Sequence, residues 1–266
     1  MLKVKRIKIS FFGSVRNDWA HASQVLKTIS STFWFLPSEI VLVDDNSITD
    51  QVALAQRLEL KHKNLFIQYN TKHQGIVASL NHAIGDLSGD IAIPIAGDTE
   101  FIDPFYGIIL VYAFIIQRGD FLFAKTRHVD ALTKKTCGIS GWSAKKGVQQ
   151  KNDVITNFIS AQTRPSGSAV AYRTEILKKY RYDRNLESLS DFYLNNLMIL
   201  KHKSFYYGKV VTKTFERKAS YSNSFNQEQS LALIEKTVVK LESDGVIFTD
   251  AQKKLYYEHE RNQWLP

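Results

Sequence analysis

EIVLVDD, residues 39–45, is a short β-branched run with no polar alternation, ending on two adjacent aspartates. A strand that is apolar on both faces belongs in a parallel sheet covered by helices on both sides. The stretch is followed by helix-like TDQVALAQRLELK. Upstream, MLKVKRIKISFF reads as a first strand. NDWAHASQVLKTISSTF reads as a helix through Ala20, Val25, Leu26 and Ile29, with Asn17 or Asp18 available as its cap.

Downstream the pattern repeats as strand NLFIQYN (64–70), helix GIVASLNHAIGDL (75–87), strand DIAIPIAG (90–97) and an apolar helix after Pro104. Strands alternating with helices predict an α/β domain with a mainly parallel sheet, right-handed crossovers and ligands beyond the carboxyl ends of the strands. The acidic sites Asp44-Asp45 and Asp98 fall at such ends. From about residue 120 the rhythm breaks into strand DFLFAKTRHV, the polar segment GISGWSAKKGVQQKND and the small-residue turn PSGSAVAYRTEIL. The C-terminal end reads as helical: Leu231, Ile234, Val238 and Leu241 form one stripe, and Thr249 with Gln252 has the spacing of a capping box.

The 266 residues are 44% hydrophobic and 23% charged, which is ordinary globular material with one principal core. A net charge of +9 suits phosphorylated ligands or an anionic membrane surface, or is simply a soluble basic surface. Nucleic-acid binding is not expected, because no known module or basic-aromatic platform is present. Cys137 is the only cysteine, so an intrachain disulfide and a cysteine-rich zinc site are excluded, and a reducing, cytoplasmic setting is expected. The seven histidines show no zinc spacing. FYGIILVYAFII at 105–116 is shorter than the ~20 residues of a membrane-spanning helix and reads as a core helix.

Each acidic site has two readings. Paired aspartates in VDDNS offer acceptor oxygens to a nucleobase or a ribose hydroxyl, or form an Asx turn before the next helix. Asp98 in AGDTE, beside Gly97, offers a carboxylate where the backbone opens, fit for a Mg or Mn ion completed by phosphate and water, or it caps the helix near Pro104.

Taken together, EIVLVDDNSITD, then HQGIVASLNHAIGDLSGD, then IAIPIAGDTEFIDP resembles the nucleotide-sugar half of family 2 glycosyltransferases of GT-A fold. Those enzymes usually read DDGSTD, then GxxxARNxGxxxAxGxY, then an acidic DxD-like motif ahead of a proline. Asp44, Asp45 and Ser47 match the first motif, Gly75 and Asn81 the second, and Asp98 the last acidic position of the third. The resemblance covers residues 1–130 well and reaches 222 more thinly. It implies a GT-A (Rossmann-like) domain over 1–222, divided into a nucleotide-sugar half (1–130) and an acceptor half (131–222), with a C-terminal helical extension over 223–266. It further implies a nucleotide-diphosphate-sugar donor, a UDP-sugar first among them, a divalent Mn or Mg ion on Asp98, and inversion at the anomeric carbon. The base would lie beside Phe12, Gly13, Ser14 and Asp45. A glycan or lipid-linked glycan would be the acceptor, in bacterial lipopolysaccharide or capsule assembly at the inner face of the membrane.

LESLSDFYLNNLMI resembles the stretch that supplies the family's catalytic base, which makes Asp191 the base and Glu187 the fallback, against a plain helix N-cap. The chain departs from the family at Ala96, where an aspartate is usual, at Ser190, and in TFERKASYSNS, where Arg217 and Lys218 replace a usual histidine. These two cations would neutralise a diphosphate directly, and closure of the 215–223 loop would exclude water. Ala96 and Ser190 also suit a catalytically silent relative. A sugar nucleotidyltransferase is disfavoured, because FFGSVRN carries a single glycine. At the tail, the stripe and the aromatics Tyr256, Tyr257 and Trp264 either pack on the core or dock on an anionic membrane.

Overall fold

The computed structural model describes residues 7–143, 146–148, 163–216 and 227–263. The first half realises the alternation: β1 (Ile9–Val15), α1 (Trp19–Thr32), β2 (Ser38–Asp44), α2 (Thr49–Lys61), β3 (Leu65–Tyr69), α3 (Ile76–Asp86) and β4 (Ile91–Pro94). β3, β2, β1 and β4 lie side by side and parallel, with Phe11 opposite both Ile40 and Ile93. β2 is buried from Glu39 to Asp44, as its unbroken apolar run requires.

The chain then forms β5 (Thr99–Phe101) and α4 (Tyr106–Val111), which widens into a π-helix over Tyr112–Ile116, followed by β6 (Phe121–Asp130). Short strands follow at β7 (Thr136–Ser140), β8 (Trp142–Ser143), β9 (Gly147–Val148) and β10 (Thr163–Arg164). So far as it is described, the polar segment after 137 is therefore largely extended. Next come β11 (Val170–Arg173), α5 (Thr174–Tyr180), a 3-10 turn (Arg184–Leu189), α6 (Ser190–Lys201), β12 (Ser204–Glu216), α7 (Gln227–Ser243) and α8 (Asp250–Gln263).

The sheet order is β3-β2-β1-β4-β11-β6-β12-β5, with β7 on β6 and β9 on β12. β12 runs parallel to β6, whereas β11 is antiparallel to both β4 and β6. That inversion positions the site. The loop entering β11, residues 165–169, stands at the same edge as the carboxyl end of β4.

One face of the sheet packs against α3, α5, α6 and the C-terminal helices, the other against α1, α2 and α4. Val238, Leu241 and Tyr256 are buried in the first of these cores, so the tail packs on the domain as the first of its two readings had it. The side chains of Leu231 and Ile234, and all of Trp264, lie outside the described residues. The capping box forms: Thr249 N donates to Gln252 Oε1 (2.8 Å) and Gln252 N to Thr249 Oγ1 (3.2 Å). Among the described residues, no helix is long and apolar enough to cross a membrane.

The opposite, amino edge of the sheet is held by buried Glu39. It accepts from Lys8 Nζ (2.5 Å), Ser10 Oγ (2.6 Å) and Ser88 N and Oγ (both 2.6 Å). Burial alone would raise its pKa, but these donors outweigh it and hold the carboxyl at about 2. A depressed pKa contributes stability above the ordinary value of 4.5 that is lost as pH falls toward 2. Glu39→Gln is therefore expected to cost about 2 kcal/mol at neutral pH. Urea unfolding should show that cost vanishing in acid, and an equal cost at pH 7 and pH 3 would contradict it.

Candidate active site

The turn after β2 is built by its two aspartates. Asp44 Oδ1 accepts from Ser47 N (2.8 Å) and Oδ2 from Trp19 Nε1 (2.6 Å), so the Asx-turn reading of DDNS holds. Ser47 Oγ accepts from Asn17 N (2.9 Å), tying the turn to the end of β1. Asp45 Oδ1 accepts from Asn70 Nδ2 (2.9 Å) and Gln74 N (2.8 Å), and Oδ2 from His73 Nδ1 (2.7 Å) and Gly75 N (2.9 Å). Burial would raise the Asp45 carboxyl, but these donors hold it below the ordinary carboxylate value. Its acceptor positions are thus filled from within the protein. Asp45 organises the 70–75 turn, and the base expected beside it would have to displace half-exposed His73.

Three further expected contacts have structural roles here. Phe12 is fully buried between the strands, so its ring belongs to the core. A Cβ at Gly13 would lie 2.5 Å from the Ile95 carbonyl oxygen, so the glycine lets β1 and the end of β4 approach. Asn81 spends both ends of its amide on Tyr182, donating to the carbonyl (2.7 Å) and accepting from the N–H (2.9 Å), and so joins α3 to the acceptor half. Gly75 opens α3 at φ 87°, a conformation that glycine alone adopts freely. Ser14 remains partly accessible at the edge.

Asp98 sits in the turn between β4 and β5, half-buried, with the Thr99 hydroxyl 3.3 Å from its Oδ1. Its carbonyl accepts from Phe215 N (3.0 Å), which fixes the turn against the end of β12. The helix-cap alternative fails, because Asp103 Oδ1 takes the Phe105 N–H (2.9 Å) at the start of α4. Asp18, one of the two caps available to α1 with Asn17, makes no side-chain cap bond. Its Oδ2 lies 3.7 Å from where a Cβ on Gly97 would be, and its Oδ1 is hydrogen-bonded to His21. A second carboxylate thus stands beside the Asp98 turn. Among the described residues, no three His, Cys, Asp or Glu side chains converge on one point. Arg217 and Lys218 lie outside the described residues, and the first two residues of the expected 215–223 loop, Phe215 and Glu216, belong to β12.

On the acceptor side, Asp191 occupies the first turn of α6, whose N-cap position is Leu189, so the plain N-cap reading does not apply. Its Oδ1 accepts from Phe192 N (2.7 Å), and a Cβ at Gly167 would collide with its Oδ2. Burial pushes its pKa up against the pull of the neighbouring N–H groups. Tyr172 and Tyr182 stand close enough for burial, aided by the Asp191 charge, to raise both phenols. Glu187, the fallback, is exposed on a kink at φ 44° and ψ −117°. Asp191 is packed against Gly167 of the 165–169 loop. Ser166 Oγ in that loop donates to Thr126 Oγ1 (2.9 Å), which ties the loop to β6.

Residues 14–113 match the sequence model described as Glycosyl transferase family 2. The donor half of the chain thus carries the sequence signature of that family. Solved structures share the fold of the chain. TarS 1–349 from S. aureus, in complex with UDP-GlcNAc, superposes with a TM-score of 0.72 at 17% identity, covering 96% of this chain and 72% of that one. The mannosyltransferase PcManGT from Pyrobaculum calidifontis, in complex with GDP-Man and Mn2+, gives a TM-score of 0.62 at 15% identity over 97% of this chain and 70% of that one. No curated protein matches the chain in sequence. The GT-A expectation holds in its mixed sheet flanked by helices and in its C-terminal helices.

Proposed function

We propose that the chain is an inverting glycosyltransferase that moves one sugar from a nucleotide-diphosphate-sugar to a hydroxyl of a glycan or lipid-linked glycan. The observation that carries this reading is topological. Because β11 runs against β4, the Asp98 turn and the Gly167 loop that touches Asp191 share one edge of the sheet. That shared edge supports a reading in which Asp98 serves the donor and Asp191, half-buried and with a pKa raised by burial, serves the acceptor.

Asp98, with Asp18 nearby, offers hard oxygen ligands, and this set fits a Mg or Mn ion completed by diphosphate oxygens and water. When bound, such an ion supplies compensation for the negative charge that develops on the departing diphosphate. Asp191 then takes the proton of the acceptor hydroxyl as that oxygen bonds to the anomeric carbon. The bond from that carbon to the diphosphate breaks on the opposite side, its electron pair leaving with the phosphate oxygen. One displacement at one centre inverts the configuration. Gly75 and Asp45 keep the donor-side turn rigid, and Asn81 holds the two halves in register. Arg217 and Lys218, which follow β12 in sequence, are proposed to add charge at the diphosphate.

A UDP-sugar is the first candidate donor, supported by the UDP-GlcNAc complex of TarS, and bacterial surface polysaccharide on the cytoplasmic side is the setting the family resemblance supports. A thermal-shift panel of UDP, GDP, dTDP and CMP, each with and without Mn, tests the reading. Saturation at about 100 times Kd should add roughly 2.7 kcal/mol of stability for the cognate nucleotide. One diphosphate should stand out, more so with metal, and equal inertness of all four would contradict the reading.

A further inference from the structure

A continuous apolar surface lies on α4 and its π-helical continuation. Tyr106, Leu110, Ala113 and Phe114 point into the core. The other face presents Phe105, Ile108, Tyr112, Ile115 and Ile116 to solvent, with Phe105 62% and Ile116 66% exposed. The π turn leaves both Ile115 and Ile116 outside while Ala113 and Phe114 stay inside. Trp34, 80% exposed, extends the patch through Phe35, whose ring edge rests where a Cβ on Gly107 would be, 3.0 Å away. Tyr112 in turn meets Phe205 of β12 edge-on at 5.9 Å. Soluble monomers rarely expose so continuous an apolar surface without using it.

Cations border the patch. Phe105 shares an open cleft of about 580 Å³ with Arg127, Lys209 and Lys213. At the far end, exposed Arg118 follows the π-helix. Acidic groups are fewer: Asp103 faces the cleft, and Glu100 is paired with Lys213 (2.8 Å). We infer that this face docks on an anionic lipid membrane, with the apolar and aromatic side chains entering the interface and the cleft cations meeting lipid phosphates. An amphipathic face with an aromatic edge and a basic rim is what such surfaces select. A second copy of the chain is a poorer occupant, because it would bring like-charged rims together on a chain of net charge +9. The inference stands apart from the donor reading and moves the membrane contact from the tail, whose Tyr256 is buried, to α4.

The test is co-sedimentation of the full chain with phosphatidylcholine vesicles, with and without phosphatidylglycerol. Wild type should pellet with the anionic vesicles only and be released by salt. The double variant Ile108→Ser with Ile116→Ser, and the double variant Arg127→Glu with Lys209→Glu, should each lower partitioning roughly tenfold or more. All four positions are at the surface, and circular dichroism melts would verify folding. Leu60→Ser, at an apolar position 87% exposed on α2, should bind as wild type does. Absence of wild-type binding, or equal loss in Leu60→Ser, would overturn the assignment. So would a concentration-dependent dimer that the isoleucine variant dissolves, because the face would then belong to a second copy.

Discussion

Asp191→Asn is expected to bind nucleotide as tightly as wild type and to transfer sugar roughly 10² to 10⁴ times more slowly. The amide keeps the shape of the carboxyl and its bond from Phe192 N but cannot take a proton. Stability supplies an independent readout with a definite sign. Burial raises the folded-state pKa of Asp191, so folding is penalised as pH rises through that value, and the penalty is absent below the ordinary value of 3.8. Asp191→Asn should therefore melt above wild type at neutral pH, with the difference shrinking in acid. In wild type, the transfer rate should fall on the acidic side at a pH above the ordinary aspartate value of 3.8. Glu187→Gln, made alongside, should leave transfer within a few-fold of wild type. Loss in that variant alone would move the base to Glu187.

The second large effect is expected at Asp98. Asp98→Asn should abolish the enhancement of nucleotide-diphosphate binding by Mn and lower transfer by roughly 10²-fold or more, because charge on the leaving group would lose its counterion. The fold should survive, since the Asp98 carbonyl, not its carboxyl, makes the bond to Phe215 that fixes the turn. Titration of UDP with and without Mn separates the outcomes. A metal effect unchanged in the variant would assign charge neutralisation to Arg217 and Lys218 instead.

Much of the donor half was legible because its signals are local. EIVLVDD reads as a strand covered on both faces, and the repeat of such runs predicted the parallel sheet that β1 to β4 form. The second half was less legible for physical reasons. β12 is interrupted at Gly208 and Lys209, where its pairing with β6 shifts register, so no clean alternation marks it. β11 is a strand of only four residues, and its antiparallel placement depends on partners far along the chain.

At the site, residue type pointed to the carboxyl edge of the sheet but not to the partners these side chains find there. Asp45 and Asn81 have the chemistry of ligand contacts, yet their partners, 25 to 30 and 101 residues away, use up those groups. Asp18 was hidden by the opposite error: its place before α1 suggested a cap, while its side chain turns toward Gly97 and His21. Asp191 was legible only through the family resemblance, since spacing alone could not distinguish a base from a helix start.

The central claim is that a nucleotide diphosphate binds at the carboxyl edge of the sheet between the Asp98 turn and the Gly167 loop. Hydrogen exchange of the full chain, with and without UDP and Mn, tests it most directly. Peptides covering 44–47, 96–99 and 165–169 should gain protection together, while those covering the exposed face of α4 should not change. Saturating nucleotide that leaves all three segments unprotected, or protects only the α4 face, would contradict the account.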